Sequence, residues 1–173
     1  MAKIVPIGDN NDMLRQAQPE FDFNNPVMDA TELTTALLDT MKEQNGIGLA
    51  ANQIGVPTRV FSIATEPPEV LFNPKITYYS DEIVLMDEGC LSYPGVYIKI
   101  KRPKDVRIRY QNLHGVTQTK KYTGNAARCA QHEIDHLDGI EFFSRAHPIH
   151  LDRFKRKWTK MKRLLRKASK LAK

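Results

Sequence analysis

His132 and His136 are four residues apart in the run His132-Glu133-Ile134-Asp135-His136. On an α-helix this spacing places both imidazoles on one face, within reach of a single metal ion. Glu133 then lies beside the ion, where a carboxylate accepts a proton from water and returns it to a leaving group. Because such a pair also arises by chance in a chain with five histidines, the prediction of a hydrolytic metal centre depends on a third ligand.

The known zinc-protease patterns supply that ligand poorly in this chain. A catalytic ion needs three protein ligands and one open position. One protease pattern places a third histidine six residues after the second, where this chain has Phe142. Another takes a glutamate from a following helix, but beyond Glu141 the only acid is Asp152. The alternatives that stay open are His147, His150 and Asp152.

Cys90 is the favoured third ligand. It lies in the run EGCLSYP at 88–94, after a β-like segment and between small or turn-forming residues, where a thiolate can face a pocket. The competing interpretation is a buried packing residue. A disulfide to Cys129 is disfavoured, because a chain of this size without a secretion signal usually keeps its thiols for metal binding or packing.

The run GIGLAANQ at 46–53 is a further candidate. Its glycines allow a backbone to approach a ligand closely, and the amide of Gln53 follows them as a hydrogen-bond donor. The Lys-Ser/Thr ending of a phosphate-binding loop is absent. The alternative interpretation is the end of a helix followed by small packing residues.

The surrounding pattern predicts the elements that must position these residues. Asp29 or Thr31 caps a predicted helix that runs to about Gln44 and ends at Asn45-Gly46. Short β-rich runs then follow between residues 56 and 118, separated by Pro, Asp or Gly, and predict antiparallel sheet. A buried helix is predicted from Gly124 to about Leu137, and it carries both histidines.

The whole chain fits one compact unit with a basic tail. Residues 1–150 hold fifteen Lys/Arg and nineteen Asp/Glu, whereas residues 151–173 hold eleven Lys/Arg and a single acid. Apolar residues recur at helical spacing through the tail and predict an amphipathic helix. We therefore expect an α+β fold with antiparallel sheets around the histidine helix, a catalytic domain over 1–150, and a basic C-terminal helix over 151–173 that extends the same domain.

Three motifs together, GIGLAANQ at 46–53, EGCLS at 88–92 and QHEIDH at 131–136, resemble the signature motifs of the peptide deformylases in order and separation. Weaker likenesses extend the resemblance over most of residues 5–145. The resemblance implies a metal-dependent hydrolase that removes the N-formyl group from the initiator methionine of nascent polypeptides and releases formate. Cys90, His132 and His136 would hold one divalent ion, natively Fe(II), with Zn, Ni or Co as possible substitutes.

The chemistry expected of such a site assigns a role to each motif. Metal-bound hydroxide attacks the formyl carbon, with Glu133 as general acid/base. By the family pattern, the Gln53 amide and the Leu91 backbone N–H stabilise the oxyanion. Extended backbone at Gly48 and Gly89 would pair with the substrate main chain like an added strand.

The methionine pocket is the part that the resemblance specifies least. We expect Ile47, Met86 and Cys129 to line it, although each also suits a packing role in the core. Asn125 stands where the family commonly has a large apolar residue, and Tyr97 where some members carry a substrate-contacting arginine.

Two other classes of function compete with this prediction: a zinc endopeptidase, and a nucleic-acid-binding protein with a structural metal held by four protein ligands. The basic tail has three interpretations: a solvated helix packed on the domain, a membrane-surface helix, or a contact to ribosomal RNA, which we favour. We expect the chain to be cytoplasmic and to lack a membrane span, because it has neither a targeting segment nor a long apolar run. We also expect it to be a monomer.

Overall fold

The computed structural model describes residues 12–171, with the side chains of residues 169 and 171 left out. The part of the predicted resemblance before residue 12 lies outside the described residues. Within residues 12–171, three α-helices and seven strands form an α+β fold with antiparallel sheets, which confirms the predicted fold class. The elements are α1 (Ala30–Glu43), β1 (Gly48–Ala50), β2 (Val60–Ile63), β3 (Glu69–Tyr79), β4 (Ile83–Cys90), β5 (Tyr93–Pro103), β6 (Asp105–Gln111), β7 (Thr117–Thr123), α2 (Gly124–Leu137) and α3 (Pro148–Leu171).

Helix α1 begins and ends where the sequence predicts. The Asp29 carboxylate accepts hydrogen bonds from the backbone N–H groups of Thr31 and Glu32 at 2.8 and 3.1 Å, a standard N-cap. Asn45, with φ of 52°, turns the chain after the last helical residues, so that the chain enters β1 directly. The run 46–53 is therefore a short strand followed by a 3₁₀ turn at Ala51–Ile54.

A five-stranded antiparallel sheet forms the larger layer, with the strand order β1-β2-β3-β6-β7. Alternate residues of its strands pack on opposite sides. Phe61 and Leu71 pack with α2, whereas Val60 and Phe72 pack with α1. Helix α1 covers the face of the sheet opposite to α2 over strands β1 to β3, because the strand residues that share its hydrophobic cluster belong to these three strands.

The smaller layer is the β4–β5 hairpin, a two-stranded sheet of its own. Helix α2 lies between this hairpin and the larger sheet. Its Ala127, Ala130 and Ile134 pack on the larger sheet, while Arg128 and Asp135 make ion pairs with hairpin residues. Every α2 residue from Ala127 to Leu137 is buried, as expected of a helix between two layers.

Helix α3 begins at Pro148, three residues before the predicted start, and packs against the hairpin. Phe154 is fully buried in an aromatic cluster, and Trp158 lies over Tyr93 with ring centroids 4.9 Å apart. The apolar stripe is covered as far as Met161, which also packs on this cluster. Farther along, Leu164 and Leu165 are 51% and 43% exposed. No helix among residues 12–171 is long and apolar enough to cross a membrane.

Candidate metal centre

Three side chains converge where the hairpin meets α2. Cys90 is the last residue of β4, held by a two-residue turn that pairs it with Tyr93. His132 and His136 are one helical turn apart on α2, with ring centroids 4.9 Å apart. The ligand atoms of the three residues lie within 4.8 Å of one another, and Cys90 Sγ is 3.1 Å from His136 Nε2. The structure therefore brings together the three residues that the sequence predicts as ligands.

This donor set fits a catalytic divalent ion. One thiolate and two imidazoles are the nitrogen and sulfur ligands that such ions bind, and three protein ligands leave a position open. Among the described residues no fourth His, Cys, Asp or Glu joins the group, as a structural site with four ligands would require. Within the same described part of the chain, the open alternatives His147, His150 and Asp152 are not part of the group. The rings of His147 and His150 instead pack edge-on against each other at the start of α3.

The second histidine has the protonation state that a ligand needs. Burial lowers the pKa of His136 well below its ordinary value, and the positive charges of His132 and Arg102 lower it further. A neutral imidazole keeps a lone pair for the ion. On the backbone side, the Asn52 amide donates a 2.7 Å hydrogen bond to the His136 carbonyl and holds the end of α2 against the 3₁₀ turn.

Glu133 is buried beside the ligands, and its Oε2 has no hydrogen-bond partner. Burial raises its pKa to about 7; the charge of His132 opposes this rise and that of Glu88 adds to it. A buried carboxylate oxygen without a partner costs free energy unless something in the working site satisfies it. Its position and its pKa near neutrality suit a group that exchanges protons with water and substrate.

The Gln53 side chain is held in one orientation by both ends of its amide. Its oxygen accepts a 2.9 Å hydrogen bond from the Ala50 N–H. Its nitrogen donates to Ser92 Oγ at 3.0 Å and points to Cys90 Sγ at 3.6 Å. The donor end therefore faces the ligand group. Leu91, which follows Cys90, lines the same cavity.

A cavity of about 610 Å³ opens in front of the ligands. It lies between the β1 edge of the larger sheet and the β4 edge of the hairpin, both of which have a neighbouring strand on one side only. All the residues that the sequence assigns to catalysis or substrate binding line it: Ile47, Gly48, Gln53, Met86, Gly89, Leu91, Cys129 and Glu133. Asn125 and Tyr97, the departures from the family pattern, also line it.

Gly48 has no room for a side chain. A Cβ added there would lie 2.5 Å from Cys129 Sγ and 2.6 Å from Glu133 Oε1, so only glycine lets β1 approach the Glu133 carboxylate. The Cys129 thiol donates to the Ile47 carbonyl at 3.1 Å, and burial raises its pKa well above the ordinary value. Both cysteines are free thiols, in agreement with the expectation that they are not joined by a disulfide.

A buried network of charges behind the ligands was missed by the sequence analysis. The Glu88 carboxylate accepts hydrogen bonds from Arg102 at 2.6 and 3.0 Å and from Arg128 at 2.6 Å. It also contacts His132 Nδ1 at 3.2 Å, which leaves Nε2 as the ligand atom. Arg102 extends the network by a 2.8 Å bond to Asp135. Glu88 belongs to the EGCLS motif and Asp135 to the QHEIDH motif. Their partners Arg102 and Arg128 lie outside both motifs, so the sequence gives no local signal for the pairing.

The chain is similar to known proteins in both sequence and fold. Residues 1–152 match the family model described as Polypeptide deformylase. Peptide deformylase 2 of Gloeobacter violaceus is 41% identical over 148 residues, which cover 82% of this chain and 77% of that protein. The crystal structure of Arabidopsis thaliana peptide deformylase 1B with an inhibitor has a TM-score of 0.82 at 34% identity, covering 96% of this chain and 93% of that one. That of a Synechococcus elongatus peptide deformylase with actinonin has a TM-score of 0.81 at 34% identity, covering 90% and 86%.

Proposed function

The chain belongs to the polypeptide deformylase family, and from that premise we propose which of its residues bind the metal ion and carry the reaction. The activity is the removal of the N-formyl group from nascent peptides, with release of formate. We assign the metal to Cys90, His132 and His136. The observation that carries this assignment is the convergence of their ligand atoms beside the unpartnered carboxylate oxygen of Glu133.

Fe(II) is the ion proposed for this site, with Zn, Ni or Co as substitutes, because the mixed sulfur and nitrogen set accepts all of them. When bound, the ion supplies Lewis-acid polarisation of the formyl carbonyl and lowers the pKa of water. Glu88 supports the arrangement through its contact with His132 Nδ1, since a carboxylate behind a ligating imidazole fixes its orientation and strengthens it as a donor.

Glu133 is proposed to transfer the protons of the reaction. It takes a proton from the attacking water as the new C–O bond forms, and gives one to the amine nitrogen as the C–N bond breaks. The Gln53 amide, fixed by Ala50 and Ser92, and the Leu91 N–H stabilise the oxyanion. Each such donor is typically worth roughly 3 kcal/mol of transition-state stabilisation.

The substrate is proposed to bind as an extended strand between the β1 and β4 edges. Gly48 and Gly89 contribute main-chain contacts there, which accept varied sequences after the methionine. Ile47, Met86 and Cys129 line the methionine pocket in this proposal, since all three face the cavity. Tyr97 packs its ring against Gly89, so the wall at this position is aromatic where some relatives place an arginine.

The Glu133→Gln variant tests these roles. It keeps the shape of the side chain and removes the proton acceptor, so formate release from formyl-Met-Ala-Ser should fall by at least 10³-fold, within the range that general acid/base groups contribute. Metal content, measured on anaerobically purified protein, should stay at one ion per chain. The matched control is Glu82→Gln on the surface, where the carboxylate only pairs with Lys104. Full activity of Glu133→Gln would contradict the mechanism.

The basic C-terminal segment, residues 151–173, is proposed to contact ribosomal RNA while the rest of the chain acts as the catalytic unit. Its eleven Lys/Arg against one acid and the exposure of residues 163–168 in α3 support this partner. The enzyme is proposed to be a cytoplasmic monomer that acts on nascent chains at the ribosome.

Deletion of the segment is a poor test, because it would also remove Phe154 from the aromatic cluster. Glutamine at Lys155, Lys160 and Arg163 should weaken salt-sensitive co-sedimentation with ribosomes while formate release stays unchanged. Sedimentation equal to that of the wild type would count against the contact.

A further inference from the structure

A basic patch covers the outer side of the larger sheet beyond the area that α1 covers. We define it by Lys75 and Tyr78 on β3, Arg107 and Arg109 on β6, and Lys121 on β7. The strand register places these residues in two rows, Tyr78-Arg107-Lys121 and Lys75-Arg109-Thr119. All of them are exposed to solvent, and they lie on the side of the sheet opposite to α2.

Two pairs of like charges face each other directly in this patch. Lys75 is the register partner of Arg109, and Arg107 is the partner of Lys121. Like charges directly opposite on neighbouring strands destabilise a sheet. Asp105 offsets one of the four charges through a 2.7 Å ion pair with Lys121. The other three have no acidic register partner on the neighbouring strand.

The charge of the patch is opposite in sign to the net charge of the domain that carries it. Residues 1–150 contain fifteen Lys/Arg and nineteen Asp/Glu, a net charge of −4 by subtraction. Four of the fifteen basic residues are nevertheless gathered on one uncovered part of one sheet. An unfavourable clustering of charge within an acidic domain is expected where an anionic partner binds.

We propose that this sheet patch binds RNA, as a second contact that is separate from both the deformylase site and α3. The Arg107 guanidinium lies over the Tyr78 ring, 5.6 Å from its centroid. Bases stack on tyrosine rings and on guanidinium planes, so an arginine stacked on a tyrosine forms a platform for a base. The remaining charges are spaced along the strands, where they can follow a phosphate backbone.

RNA fits this patch better than a membrane surface does. A lipid-binding surface combines charge with apolar side chains that enter the headgroup region. The register partners in the two rows are instead Lys, Arg and Thr, with Tyr78 as the aromatic member. Binding to anionic lipid is therefore the competing outcome of the test.

The test measures binding to a fluorescein-labelled 20-nucleotide oligouridylate by anisotropy, across a salt series, with the full chain. Each neutralised phosphate on a single strand contributes about 0.7 to the slope of log affinity against log salt. The double variant Arg107→Ala/Arg109→Ala should lower the magnitude of that slope by about 1.4. If variant and wild type bind equally at 1 M salt, the variant then binds about 25-fold more weakly than the wild type at 0.1 M salt. The basic charges of α3 are present in every variant and do not affect the difference.

The matched control is Lys99→Ala/Lys101→Ala, which removes the same net charge from exposed positions of β5. If RNA binding depends on where the basic residues lie and not only on the net charge, the slope of this control should stay within about 0.3 of the wild-type value. An equal loss of slope in both double variants would overturn the proposal. So would loss of binding to vesicles of phosphatidylserine and phosphatidylcholine with RNA binding unchanged.

Two further readouts separate a binding role from a structural one. Since the substitutions remove like-charge pairs, the melting temperature of Arg107→Ala/Arg109→Ala should be equal to or above that of the wild type. Formate release should also be unchanged, because the patch lies outside the cavity. If the melting temperature falls and RNA affinity stays the same, these residues have a structural role and the proposal is wrong.

Discussion

The Glu88→Gln substitution probes the buried charges behind the metal centre. The Glu88 side chain receives hydrogen bonds from Arg102 and Arg128 and contacts His132. Glutamine keeps the shape and one carbonyl acceptor but removes the negative charge and points an N–H₂ group at a cation. Among the residues that the structure describes, Arg102 then retains Asp135 as its acidic partner, and Arg128 retains the carbonyls of Ile100 and Val84.

The loss of folding free energy expected for Glu88→Gln can be judged in two ways. Removing one partner from a buried ion pair costs roughly 3–5 kcal/mol, because the other charge stays buried without compensation. Burial raises the pKa of Glu88, but hydrogen bonds from His132 and Arg102 and their positive charge lower it to about 2, below the ordinary 4.5. That difference corresponds to roughly 3 kcal/mol in favour of the folded, charged form.

The free energy of unfolding from urea titrations at pH 7 measures this effect. We expect the free energy of unfolding of Glu88→Gln to be roughly 3 kcal/mol lower than that of the wild type. We also expect its metal affinity to be about 10- to 100-fold lower. The control Asp87→Asn changes the neighbouring exposed carboxylate, which pairs with Lys99 at 3.1 Å, and should stay within about 0.5 kcal/mol of the wild type.

The pH dependence gives a second check on the same reasoning. A lowered carboxyl pKa stabilises the fold above the unfolded value, and this contribution disappears as pH falls through the folded value. The stability gap between wild type and Glu88→Gln should therefore be full at pH 5 and shrink between about 4.5 and about 2. A gap below about 1 kcal/mol at pH 7, or one independent of pH, would refute the argument.

Three further predictions follow from contacts at the site and at α3. Gly48→Ala should lower kcat/KM for formyl-Met-Ala-Ser by at least 100-fold, because its Cβ would lie 2.6 Å from Glu133 Oε1 and displace the base; wild-type kinetics would contradict this close approach. Trp158→Ala should cost roughly 2 kcal/mol in urea titrations, whereas Leu165→Ala, 43% exposed, should cost under about 0.5; equal costs would mean that α3 is not anchored through the tryptophan. Burial lowers the pKa of His132, but Cys90 and Glu88 raise it to about 10 in the metal-free site, so metal binding at pH 8 should release at least one proton to a pH indicator; no release would show that the imidazole is already neutral.

The helices were the most predictable part of the fold. Helix α2 runs over Gly124–Leu137, the bounds that the sequence predicts, because helix-forming residues fill the segment and Gly139 follows it with a φ of 72°. Helix α1 is equally well marked, by Asp29 at one end and Asn45 at the other. Caps and period are local signals, so no tertiary information is needed to find them.

Two edge strands were not predicted, for different reasons. Strand β1 has only three residues, Gly48–Ala50, and contains none of the β-branched or aromatic residues that mark strands. Strand β7 reads Thr-Gln-Thr-Lys-Lys-Tyr-Thr, in which only Tyr122 is buried. Polar and lysine-rich edge strands are typical of natural sheets, since they discourage pairing with other chains. Their sequences therefore resemble loops.

The candidate metal ligands could be chosen from the sequence because the HExxH motif carries the spacing of the histidines and the resemblance supplies the cysteine. The charge network could not be found in this way. Arg102 connects Glu88 on β4 with Asp135 on α2, and a pairing across such sequence distances depends on how the hairpin docks on the helix. The docking of the hairpin on α2 leaves no pattern in a single sequence.

Docking of the hairpin on α2 also brings the proposed metal ligands together. The proposed sulfur ligand comes from the β4–β5 hairpin, whereas both imidazoles come from the helix that packs on the larger sheet. The buried bonds of Arg102 join the same two layers directly behind the ligands. Because an ion pair between two layers resists their separation only while both partners stay in place, loss of Glu88 should loosen the sulfur ligand and the nitrogen ligands together. The weaker metal affinity and the lower stability predicted for Glu88→Gln therefore have one cause, and a variant that showed either effect alone would argue against this coupling.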